Sequence, residues 1–75
     1  MEENKMNKLS SLVVNRRKEL VLTQEQFAKR LNISRISLIK LESGEEVGSA
    51  ILTKVAKYFK TQPGKMRKML YEKED

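Results

Sequence analysis

The 75-residue sequence has no cysteine and no histidine. Without thiols there is no disulfide staple and no thiolate zinc site, and without imidazole there is no histidine general base. Proline occurs once and glycine three times, and no glycine-rich phosphate loop can be built from them. No apolar run approaches the roughly 20 residues that cross a bilayer. The N-terminal stretch MEENKMNK is acidic and polar, where a signal peptide turns from basic to apolar. A soluble, intracellular and cytoplasmic protein with no membrane partner is therefore expected. Carboxylates are present, but none forms a spaced pair in an apolar setting and no nucleophile stands beside a base. The expectation is no enzyme, no metal and no cofactor.

Acid is also scarce. Ten Asp and Glu stand against 16 Lys and Arg, a net charge of +6. So basic a small domain suits a polyanionic partner, although a merely basic soluble surface is the plainer reading. Between Val47 and Tyr71 there is no acid, while Lys54, Lys57, Lys60, Lys65, Arg67 and Lys68 all fall there. A flanking patch for phosphates and a dock for an acidic protein are both readings of this run. An ordinary solvated helix face is favoured over either.

What is present organises around Thr23 to Gly44, TQEQFAKRLNISRISLIKLESG. Thr23 is a good N-cap, and Gln26 three residues on completes a capping box. Phe27, Ala28 and Leu31 then share one helical face. Asn32 breaks the pattern and tolerates a left-handed backbone. Ile33 plugs inward, Ser34 caps a second helix, and Leu38 and Leu41 form its inner stripe. Gly44 is a stop signal. Two capped helices a few residues apart make a helix-turn-helix, over about 23–43, whose second helix presents side chains to a DNA groove.

The remainder supplies one core and no second domain, so residues 1–75 read as a single unit. Residues 1–7 and 72–75 are expected to be loose ends. From Lys8 a helix carries Leu9, Leu12, Val13, Arg16 and Leu20 on one face. Val21 sits in the connector where glycine would be usual. Ser49 is expected to cap a fourth helix with Ile51, Leu52, Val55, Ala56 and Phe59 inward. Pro63 opens a fifth with Met66, Met69 and Leu70 inward. No segment alternates with a period of two, so no strand is expected.

The residues RRKELVLTQEQFAKRLNISRISLIKLESG, followed by the AILTKVAKYF helix, resemble the Cro/C1-type helix-turn-helix family, from Arg16 to about Leu70. Leu22-Thr23-Gln24, Ala28, Ile33-Ser34, Leu38, Leu41-Glu42 and Gly44 fall at that family's spacing. Val21 and Asn32 stand where glycine is usual, and Gly48 where proline is common. The resemblance implies an all-α, five-helix, lambda-repressor-like DNA-binding domain. It implies base reading by Arg35, Ile36 and Lys40. Arg35, in the first turn of the second motif helix, has a fork that matches guanine's two acceptors. Lys40, on roughly the same outward side, could reach guanine or phosphate, and Ile36 either meets a thymine methyl or is simply exposed. Phosphate contacts are implied for Gln24, with Ser34, Ser37 and Ser43 as further candidates. A structural pair between Arg17 and Glu42 is implied as well.

Two functions follow as expectations. The first is a sequence-specific double-stranded DNA-binding transcriptional regulator, a repressor acting as a homodimer on a palindromic operator. Its dimer contact is expected near Pro63, Met66, Leu70 or Tyr71. The second is a protein-interaction module or antitoxin-type partner that keeps the helix-turn-helix as a scaffold.

Overall fold

The computed structural model describes residues 6–73. Over them the chain forms α1 (Lys8–Glu19), α2 (Gln24–Leu31), α3 (Arg35–Glu42), α4 (Ser49–Tyr58) and α5 (Pro63–Leu70). The fold is all-α. Among the described residues the only β-type pairing is an isolated bridge between Asn7 and Lys73.

Side-chain caps start the first three helices. The Thr23 hydroxyl accepts the Gln26 amide at 3.1 Å, and the Thr23 amide returns a bond to the Gln26 side chain at 2.9 Å. Asn7 makes the same reciprocal box with Ser10 at the head of α1. Ser34 accepts from the Ser37 amide at 3.0 Å. The cap expected at Ser49 is not formed. Gly48 takes the N-cap position with no side-chain bond, and Ser49 instead accepts a hydrogen bond from Arg67 at 2.9 Å.

The first four helices end alike. A left-handed residue follows each of them: Val21 at φ 55°, Asn32 at 62°, Gly44 at 82° and Lys60 at 57°. The residue after it bonds back to a carbonyl five positions earlier: Leu22 to Arg17, Ile33 to Ala28, Glu45 to Lys40, Thr61 to Ala56. This is the Schellman arrangement, which satisfies carbonyls that the helix end would leave orphaned. Glycine is the residue that adopts this conformation at no steric cost, yet it holds the position at Gly44 alone.

Leu9 and Val13 of α1, Phe27, Ala28 and Leu31 of α2, Leu38 and Leu41 of α3, Leu52, Val55 and Ala56 of α4, and Met66 and Leu70 of α5 make one core. Val47, in the loop before α4, joins them. α3 packs on both α1 and α2, and α4 on α5 and α2. Two expectations change here. Leu20 rotates out of the α1 stripe and is partly exposed, because the helix ends there. Met66 and Leu70 are buried within their own chain, so they cannot form a dimer contact while the core is intact.

The loose ends expected over 1–7 and 72–75 do not hold at Asn7, Glu72 and Lys73; residues 1–5 and 74–75 lie outside the described residues. Asn7 is buried and its side-chain amide donates to the Gly44 carbonyl at 3.3 Å. The Lys8 amide donates to the Glu72 carbonyl at 2.8 Å. At the end of α5 the Tyr71 hydroxyl donates to Glu46. That bond holds the phenol above its ordinary pKa of 10.0, because it favours the protonated form.

Candidate nucleic-acid interface

A four-part clasp sets the position of the helix-turn-helix. Arg17, near the end of α1, donates from Nε to Glu42 Oε2 at 2.7 Å and from Nη2 to Oε1 at 3.1 Å. Its Nη1 reaches the Leu22 carbonyl in the connector at 3.1 Å. Gln24, the first residue of α2, donates from Nε2 to Glu42 Oε1 at 2.9 Å. Glu42 closes α3 and its side chain is 7% exposed, against 20% for Arg17. One carboxylate thus holds the end of α1, the start of α2 and the end of α3 together. A two-pronged charged pair at this depth is both directional and strong. The Gln24 bond was missed in the sequence, where Gln24 reads as a phosphate contact at the start of α2. The only hint is its place just after the Thr23 cap.

With its end clamped, α3 presents one face to solvent. Arg35, Ile36 and Lys40 are exposed, Ile36 to 65%. Among the described residues neither Arg35 nor Lys40 forms a salt bridge. Ile36 and Lys40, four apart, stack on one side of the helix. Arg35 lies roughly 140° round from Lys40 at about 100° per residue, so the shared side expected for the two does not hold. Arg35 instead lines an open groove with Thr23, Gln24, Ala28 and Lys29 at the head of α2, and Glu25 is the acid on its wall. Capping of α2 uses the Gln26 amide, which leaves those of Gln24 and Glu25 without an intrahelical partner beside that groove.

The three serines differ in what they have free. Ser34 donates its hydroxyl proton to Ser37 Oγ at 2.9 Å, and Ser43 donates to the Ile39 carbonyl at 2.8 Å. Ser37 receives a proton and keeps its own, so it is the one of the three with a donor to spare. Ile39 of α3 is half-buried.

Two capped helices clamped at a fixed angle, with exposed cations on the second that pair with no acid among the described residues, define the helix-turn-helix class of DNA-binding protein. A helix-turn-helix family model matches residues 14–66. The chain belongs to the Cro/C1-type helix-turn-helix family, a family of DNA-binding regulators. No curated protein and no solved structure matches it. No helix among the described residues is long and apolar enough to cross a membrane.

Proposed function

We propose that this chain is a single-domain, cytoplasmic, sequence-specific double-stranded DNA-binding repressor. It docks as a homodimer on a near-palindromic operator, with half-sites about one helical turn apart, and represses by covering a promoter. The observation that carries this is the contrast within one motif. Arg17, Gln24 and Glu42 are spent on holding the bracket rigid, whereas Arg35 and Lys40, both exposed on its second helix, have no ion-pair partner among the described residues.

In this reading α3 enters the major groove. Arg35 leads and pairs with guanine, Ile36 meets a thymine methyl, and Lys40 reaches guanine or the adjoining phosphate. The free amides at the head of α2, with the second N–H of Gln24, hold a phosphate and set the register. Ser37 can add a phosphate contact directly. Ser34 and Ser43 must first release an internal hydrogen bond, so their contribution is smaller. Glu42 would repel the backbone if it stood alone, and Arg17 neutralises it.

Selection of bound duplexes from a random pool, followed by quantitative binding, tests this. Arg35→Ala should relax the choice at one base pair per half-site, a loss of about 1–3 kcal/mol on the preferred sequence. Gln24→Ala should weaken binding to all sequences alike. Equal loss on every sequence for Arg35→Ala would refute the base-reading role, and no duplex binding at low salt would refute the function.

A further inference from the structure

A second groove lies between the last turn of α2 and the outer side of α4. It has a volume of about 480 Å³ and shares no lining residue with the groove at Arg35. Its lining is Arg30, Leu31 and Asn32 from the end of α2 and Thr53, Lys54, Lys57 and Tyr58 from α4. Lys54 and Lys57 are three apart and so neighbours on one side of α4. No acid lines the groove. Among the described residues none of the three cations is in a salt bridge, and the Tyr58 hydroxyl has no hydrogen-bond partner. The Tyr58 ring itself is fixed, edge-on to Phe27 at 5.5 Å and to Phe59 at 5.1 Å.

We infer that this groove is a docking site for an acidic peptide segment of a protein partner, one that carries an apolar side chain among its carboxylates. Two features choose the occupant. Three like charges line one groove with no acid among the described residues that line it, which favours an anion brought from outside. The Tyr58 ring in the same lining is apolar and held in place, which rewards an aliphatic side chain and offers a phosphate backbone nothing to bury. Carboxylates on the same segment pair with Arg30, Lys54 and Lys57, and one of them accepts from the Tyr58 hydroxyl. The site is separate from the face assigned to DNA, so a regulator could hold operator and partner together.

The test uses three fluorescent probes with the full chain: a short Asp/Glu peptide carrying leucines, the same peptide with serine for leucine, and a duplex of random sequence. Binding is read by anisotropy and mapped by amide chemical shifts. The leucine peptide should move the resonances of Leu31, Tyr58, Lys54 and Lys57. Lys54→Glu/Lys57→Glu should weaken it by at least about tenfold, and Tyr58→Phe by roughly tenfold, with unchanged helical circular dichroism in both. The duplex should bind Tyr58→Phe as well as it binds the natural chain, and should lose several-fold less affinity than the peptide to the charge reversal, which lowers the net charge from +6 without touching the duplex's own contacts. The inference fails if the leucine peptide leaves the groove resonances unmoved, or if the serine peptide binds equally well. It fails also if the double charge reversal weakens the duplex as much as the peptide, since the groove would then be a phosphate patch.

Discussion

Val21 ends α1 at φ 55° with a branched side chain 87% exposed to solvent. A left-handed backbone brings Cβ close to the following carbonyl oxygen and costs a non-glycine residue roughly 1–2 kcal/mol. Branching at Cβ makes valine one of the worst choices. No buried contact compensates, because the side chain lies in water. Val21→Gly should relieve the clash but adds freedom to the unfolded chain worth about 0.5–1 kcal/mol. The net expectation is a gain of about 0–1.5 kcal/mol, a rise in Tm of up to several degrees for a domain this small. Thermal denaturation checks it, and a lower Tm would show that Val21 is not strained. Lys60, at φ 57° but unbranched, should gain less from the same change.

At the scale of elements, the clasp on Glu42 decides whether three helices behave as one body. Glu42 is nearly buried and Arg17 is a fifth exposed, so the Coulomb attraction is partly screened and should not be credited in full. Removing one partner should still be costly, because the other charge is then left underpaired. Glu42→Ala is expected to lose about 2–4 kcal/mol, somewhat under the range for a fully buried pair. Replacing both charges with apolar groups, Arg17→Met with Glu42→Leu, should cost less than Glu42→Ala alone. A double-mutant cycle by urea unfolding measures the coupling, expected at roughly 2 kcal/mol. Additive single effects would mean that the pair is only a surface contact. The double variant should also bind DNA less well, because the start of α2 and the end of α3 no longer share a partner.

At the scale of the whole molecule, the net charge of +6 and the radius of gyration of 11.4 Å place a strong positive field on a compact body, about the size expected for 75 residues. Such a charge should make operator binding steeply salt-dependent, with a slope of roughly −0.9 for each phosphate neutralised. Lys40→Ala should shorten that slope by roughly one per chain if the ammonium sits on phosphate. Sedimentation on a selected duplex should give two chains per site. A flat salt profile, or one chain per duplex at saturation, would contradict the proposed docking. The apolar side chains left for pairing of copies are those outside the core, such as Tyr71 and Leu20; Met66 and Leu70 are already committed inward.

The elements of this protein were readable in its sequence because their signals are local. A cap bonds to an amide three residues on, a stripe repeats every three or four, and Thr23, Ser34, Phe27, Leu38 and Pro63 needed no knowledge of the rest of the chain. The exposed tips Arg35, Ile36 and Lys40 were legible for the same reason, as the positions left over by the buried stripe of α3. What only the tertiary structure decided joins residues far apart in the chain. Gln24 turns to Glu42, Asn7 to Gly44, and the Lys8 amide to Glu72. Val47 enters the core and Met66 and Leu70 stay in it, and Arg30 comes to face Lys54 and Lys57 across a groove. Periodicity shows which side of a helix is apolar. It cannot show what covers that side, or which polar groups meet, since that depends on how the helices cross.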